Sequence, residues 1–234
     1  MSKSYINLER KYVINTYNTI SKQFDGSRFC RWPEICLFLD SLAPGSLIGD
    51  IGCGNGKYLA YRNDCIMIAC DVSQDLLHIA KNKYDGYNKK NVYGDNGGVC
   101  YSYTLSNMIH LAYRDNLFDA IINVAVLHHI STHERRVECL REMIRTVRHG
   151  GRICISVWAD EQNKKDKWIQ CNIATSNTDY MIPFDKRNGE VHMRYYHLFT
   201  KIDFLNVLLD VADICDIQRF VYDKDNWIAV LVKL

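Results

Sequence analysis

Leu47-Ile-Gly-Asp-Ile-Gly-Cys-Gly-Asn-Gly56 decides the reading of this chain: a short apolar run, an acid at Asp50, then glycine at Gly52, Gly54 and Gly56. An apolar run of this length bounded by glycines predicts a buried strand. Glycines directly after a strand let backbone approach a ligand, and the helix that follows turns its free N–H groups toward an anion. The spacing is G-x-G-x-G, which differs from the dinucleotide fingerprint G-x-G-x-x-G. Downstream, Ile66 to Cys70 predicts a second strand with Asp71 at its end, where a carboxylate can accept from both hydroxyls of a ribose. The competing reading of Asp71 is an N-cap for the helix that starts near Gln74. After a third predicted strand, Val99 to Leu105, Asn107 offers an amide to an adenine edge and Met108 a thioether to its face.

Working outward, 234 residues with 47% apolar and 24% charged side chains predict one packed domain, 1–234. Val13, Tyr17, Ile20 and Phe24 recur at helical spacing up to Asp25-Gly26, and Trp32-Pro33 opens a second helix to Leu42. Residues 1–45 thus read as a helical cover over the substrate and cofactor. Phe118 to Val126 and Arg152 to Trp158 predict two more strands. Between them Thr132 to Arg148 reads as a helix, with Ser131 and Glu134 as a capping box and Gly150-Gly151 as its stop. Residues 160–192 are polar without periodicity and read as an insertion loop. A helix over Ile202 to Val211 follows, then two strands joined by Asp223-Lys-Asp-Asn226, a turn so short that they must be antiparallel. The expected fold is α/β: a seven-stranded, mostly parallel sheet with helices on both faces and its last strand antiparallel. In chain order, glycine loop, ribose acid and adenine contact make the pattern of the Rossmann-like class I methyltransferases, with S-adenosylmethionine as cofactor.

A formal charge of +2 favours no class of partner, so any basic surface is local. Lys81, Lys83, Lys89, Lys90, Arg135, Arg136, Lys164, Lys165 and Lys167 are weak marks for RNA, since such charges are usually a solvated face. The ten cysteines form no C-x-x-C pair and no cluster with histidine. No metal is therefore expected, and the cysteines read as reduced, buried hydrophobes. The first residues hold no signal-like apolar run, and no segment approaches ~20 apolar residues. The expectation is a cytoplasmic protein, with the nucleus as a further location, and no membrane segment.

Several stretches resemble the eukaryotic tRNA wobble-uridine methyltransferases. They are Arg28-Phe-Cys-Arg-Trp-Pro33, Asp50 to Leu59, Asp71-Val-Ser73, Ala125-Val-Leu-His-His129, Glu134-Arg-Arg-Val137, Trp158-Ala-Asp-Glu-Gln162, Arg194-Tyr-Tyr-His-Leu198 and Asp225-Asn-Trp227. The glycine loop says methyltransferase alone; the double histidine, the Trp158 segment and Arg194-Tyr-Tyr-His carry the likeness to the family. Against the family, Tyr84 to Gly98 looks like a second insertion, Asn107 stands where the family commonly has Asp, and the loop after Gln162 is shorter. The resemblance implies methylation of the carboxylate of 5-carboxymethyluridine in tRNA, and a heterodimer with a small zinc-binding activator protein. Strand 99–105, at a sheet edge in this fold, is where such a partner would dock.

A carboxylate nucleophile is already ionised at pH 7, so this chemistry needs positioning and desolvation rather than a base. Arg28, Arg31 and Arg194 are candidates to orient that carboxylate or flanking phosphates, a guanidinium fork matching both. The bland reading of Arg31 is a stem lying over Trp32. His128, after the fourth strand, is the candidate for contacting the substrate base or carboxylate, with His129 read as packing or a loop hydrogen bond. The alternatives are a methyltransferase of a small-molecule carboxylate or phenol, and a catalytically silent scaffold for the activator.

Overall fold

The computed structural model describes residues 3–26, 30–91, 101–162, 165, 167–171, 176–185 and 189–234, with side chains 85–91 and 101 left aside. Three segments open the chain: α1 (Lys3–Glu9), a π-helical turn (Arg10–Ile14) and α2 (Asn15–Asp25). They are followed by α3 (Pro33–Asp40), which starts on its proline, where a missing N–H costs nothing. The central elements are β1 (Leu47–Ile51), β2 (Ile66–Asp71), α4 (Gln74–Asn91), β3 (Tyr101–Leu105), β4 (Phe118–Val124), α5 (His133–Thr146) and β5 (Val147–Trp158). The C-terminal part adds β6 (Ile169–Gln170), β7 (Asp179–Asp185), β8 (Val191–His197), α6 (Lys201–Leu209), β9 (Cys215–Asp223) and β10 (Asn226–Lys233).

Seven strands form one sheet in the order β3-β2-β1-β4-β5-β10-β9, parallel except for β10, which runs antiparallel to both neighbours. This is the expected class I methyltransferase architecture. Alternation along the strands feeds two cores. Ile121, Ile153, Ile155, Ala229 and Leu231 pack toward α5 and α6 with Leu140, Ile144 and Phe204. Ile48, Met67, Ile122, Cys154 and Ile228 face the other way, toward Ile35, Leu39, Leu77 and Ala80. A sheet buried on both faces needs helices on both, which the βα repeat supplies.

Besides the stretch after the glycine loop, where 54–60 form turns instead of the expected helix and so present no helix N-terminus to a ligand, the structure differs from the sequence reading in three places. Segment 160–192 is not a plain loop: it carries β6, β7 and the start of β8, a separate antiparallel sheet. Its strands were hidden because β7 is apolar on both faces, Ile182 packing with Tyr196 while Met181 joins Tyr17 and Ile20, and because Pro183 argues against a strand. Second, α5 is capped by Thr132 rather than Ser131, whose hydroxyl goes to Glu9. Third, α5 ends at Thr146, and Gly150-Gly151 fall inside β5. Of the second insertion, 84–91 continues α4 and 92–98 lies outside the described residues.

Candidate active site

The parallel strands reverse their order of addition between β1 and β4, and there the loops part to leave a crevice at the strands' C-terminal ends. A cavity of about 410 Å³ fills it, lined by the Asp50 to Asn55 loop, Asp71, Asn107, Met108, His128, Trp158 and Tyr196. The N-terminal helices close it with Glu9, Val13, Tyr17 and Phe24.

At the loop, Gly52 and Cys53 donate their backbone N–H to the Cys70 carbonyl at 2.7 and 2.9 Å, stitching β1's exit to β2. Gly52 sits at φ 82°, and a Cβ there would lie 2.3 Å from a Val126 methyl, so only glycine fits. Gly54 and Gly56 complete the turn. Asp71 accepts from Gly54 N–H at 2.7 Å and Ser73 N–H at 2.8 Å, one bond on each oxygen, which leaves each a lone pair for a hydroxyl. The capping reading of Asp71 passes to Ser73, whose hydroxyl accepts from Leu76 N–H. Asp50 is buried, and its Oδ2 has no hydrogen-bond partner. Burial, reinforced by Asp71 and opposed by Lys57, pushes its pKa up to about 7. Met108 is buried in the wall, while Asn107 Oδ1 accepts from Ile109 N–H and leaves the amide nitrogen to donate.

At the opposite end stand two histidines on a short 3₁₀ turn, Leu127–His129. His128 Nδ1 accepts from Trp158 N–H at 3.2 Å, and burial drives the ring's pKa well below the usual value. The ring is therefore neutral with its proton on Nε2, a donor with no hydrogen-bond partner among the described residues. It stacks on Tyr196 at 4.8 Å and sits beside Trp158 at 5.7 Å. Ala125, just before this turn, holds φ 59°, a strained conformation for a non-glycine residue at a cavity wall.

Not every expected site residue meets in the cavity. Arg28 lies outside the described residues. Arg31 is on the surface, bonding the Lys57 carbonyl and stacking on Tyr61 rather than on Trp32. Arg194 is buried behind the wall, its Nη1 donating to Tyr196 Oη at 2.9 Å. Of the basic marks, Arg135 and Arg136 are buried: Arg135 pairs with Glu9 at 2.7 Å and Arg136 Nε donates to the Ile130 carbonyl. Lys83 pairs with Asp25, and Lys165 with Asp160 at 2.6 Å. Lys164 and the side chains of Lys89 and Lys90 lie outside the described residues. Tyr17 and Tyr196 are the cavity residues the sequence did not disclose, Tyr17 being indistinguishable there from an apolar helix stripe. Among the described residues no group of three His, Cys, Asp or Glu is placed to hold a metal, and no helix is long and apolar enough to cross a membrane.

Residues 49–155 match the family of the Methyltransferase domain. The fold resembles a Methanosarcina mazei S-adenosylmethionine-dependent methyltransferase with a TM-score of 0.70 at 18% identity, covering 87% of this chain and 98% of that one. It also resembles a chain in the complex between the Haloferax volcanii Trm112 methyltransferase activator and a methyltransferase, with a TM-score of 0.65 at 12% identity over 94% and 97% of the two chains. Among relatives, a tRNA (carboxymethyluridine(34)-5-O)-methyltransferase of Arabidopsis thaliana is 39% identical over 68% of this chain and 36% of its own length. The alkbh8 protein of Xenopus tropicalis, of the same designation, is 31% identical over 97% and 41%. The chain thus spans well under half the length of these two relatives. A Schizosaccharomyces pombe tRNA (carboxymethyluridine(34)-5-O)-methyltransferase is matched almost end to end, 31% identical over 97% of this chain and 99% of that protein, and the chain belongs to this family.

Proposed function

We propose that this protein transfers a methyl group from S-adenosylmethionine to the carboxylate of 5-carboxymethyluridine at the tRNA wobble position, giving the methyl ester. The observation that carries the reading is a single cavity with two chemically distinct ends, acidic at the glycine loop and aromatic and hydrogen-bond-donating at His128, Trp158 and Tyr196. The acidic end fits the cofactor. Asp50's orphan oxygen is matched by an ammonium, Asp71 has lone pairs for ribose hydroxyls, and Asn107 and Met108 border the place for an adenine. Bound there, the cofactor supplies a methyl on a sulfonium, an electrophile that needs no further activation.

The chain's residues then position and exclude water. The N-terminal helices roof the cavity, and the His128 Nε2 proton is offered to the substrate base or carboxylate. No general base is required, because the nucleophile is already an anion. Arg28 is assigned to the substrate carboxylate or its flanking phosphates on the family resemblance. Methylation is supported by a small zinc-binding activator on the free side of β3, where Leu105 is 57% exposed and no described strand pairs beyond it. An unpaired edge of this kind takes a strand from another chain.

Nucleoside mass spectrometry of tRNA incubated with the protein, an activator and S-adenosylmethionine tests the reading. The methyl ester of carboxymethyluridine is the expected product. Label passing instead to a metabolite extract, with tRNA unlabelled, supports the small-molecule alternative.

A further inference from the structure

Behind the aromatic end of the cavity, four side chains form a hydrogen-bonded file whose direction is fixed. His129 Nδ1 lies 2.8 Å from the Tyr195 carbonyl, which only accepts, so the ring proton is on Nδ1. Burial lowers the His129 pKa to about 3, so the ring is neutral and its Nε2 accepts from Tyr17 Oη at 3.0 Å. Having given its hydrogen, Tyr17 Oη accepts from Tyr196 Oη at 3.1 Å. Tyr196 Oη in turn accepts from Arg194 at 2.9 Å.

Two observations make this more than a packing network. Tyr17 and Tyr196 line the cavity, whereas Arg194 does not. Arg194 is also only 4% exposed and faces no carboxylate among the described residues. Its surroundings are the rings of Phe184 and Tyr196 at 5.2 and 5.1 Å, the Tyr17 hydroxyl and the Pro183 carbonyl at 3.5 Å, and its Nε has no partner among the described residues. A buried cation without a counter-charge is costly, so an anion entering beside it is favoured.

We propose that Tyr17 and Tyr196 are the anion subsite of the cavity, Tyr196 donating its phenolic hydrogen to one oxygen of the substrate carboxylate while Arg194 acts as a positioning residue through Tyr196. The inference rests on the tRNA reading above. When the carboxylate enters, the Tyr196 O–H turns from Tyr17 to it, exchanging a neutral acceptor for a charged one. The guanidinium at its oxygen makes that phenol a stronger donor. No proton is transferred: Tyr196 keeps its hydrogen, and Tyr17 still donates to His129. One carboxylate oxygen is held and the other is left free to attack. The ester that results carries no charge, so the subsite prefers substrate over product.

The test compares tRNA carrying carboxymethyluridine with the same tRNA carrying the uncharged carbamoylmethyl group, binding being measured with S-adenosylhomocysteine present. Wild-type protein is expected to prefer the acid by at least about tenfold, the scale of a hydrogen bond to a charged group. Tyr196→Phe should abolish most of that preference while S-adenosylmethionine affinity, measured by calorimetry, is unchanged. In the Tyr196→Phe background Arg194→Gln should add little further loss, because the arginine works through the phenol. Full preference retained in Tyr196→Phe, or additive losses in the double variant, overturns the proposal. A wild-type protein that methylates no acid-bearing tRNA and shows no preference overturns the tRNA reading itself, which keeps the two failures distinct.

Discussion

At single residues the cavity holds groups that would be poor choices for stability alone. Asp50 is one. Its folded pKa of about 7 lies above the ordinary 3.8, so the folded state takes up a proton between those values. The ligand-free fold is therefore free of the strain below pH 4 and carries it in full above pH 7. Asp50→Asn should raise the ligand-free melting temperature at pH 8 by at least about 2 °C, with the gap closing as pH falls toward 5. The same variant should lose cofactor affinity in calorimetry, and a variant that binds normally would remove Asp50 from the site. His128 makes the opposite kind of prediction. Its pKa is driven well below 6.5 by burial first and by His129 next, so turnover should show no inflection near pH 6.5 from this ring. His128→Ala should lower turnover at least about tenfold, the loss of one donor to a charged group, and leave cofactor affinity intact. Equal loss of both would mean that the ring only supports the fold.

Among the elements, α1 and the π-helical turn are held by one buried contact set. Glu9 Oε1 accepts from Ser131 N–H at 2.9 Å, Ser131 Oγ at 2.6 Å and Arg135 Nε at 3.0 Å, and Oε2 accepts from Arg135 Nη2 at 2.7 Å. This ties the cavity roof to the start of α5. Breaking a buried ion pair from one side costs about 3–5 kcal/mol, because the partner charge stays behind. Glu9→Gln should therefore lower stability by a value in that range in denaturant titration. Hydrogen exchange should quicken most across Lys3–Ile14, and uniform quickening over the central sheet would show that the pair does not act locally. The π turn lies between this anchor and Tyr17, whose hydroxyl is anchored to His129. Such turns recur at functional sites because the extra residue re-aims the side chains around it.

For the molecule as a whole, the open edge at β3 and the ion pairs of Lys83 and Lys165 lead to one prediction each. An activator bound along β3 should protect the backbone amides of Tyr101–Leu105 from exchange; protection confined to β9, the other edge, would relocate the partner. Affinity for tRNA should fall as salt rises, each phosphate contact adding about one unit to the logarithmic slope. Lys83, Lys165, Arg135 and Arg136 are already engaged within the chain and should add little to that slope, which leaves exposed cations such as Lys81 to set it.

The strand-and-glycine rhythm of Leu47 to Gly56, Asp71 at the end of β2 and the antiparallel end of the sheet were legible in the sequence by themselves. Each is a local matter: apolar period, backbone freedom and turn length are properties of neighbouring residues. What only the tertiary structure decided is which side chains converge. Tyr17 reads as an apolar helix stripe and Tyr196 as the neighbour of a more conspicuous arginine, yet the two meet at 3.1 Å across 179 residues of chain. Arg194 and Arg135 carry the charge that attracts notice in a sequence, and folding buries both behind other groups. Periodicity records which face of an element is apolar, but it does not record which remote element that face will meet, and the polar centre of this cavity is made entirely of such meetings.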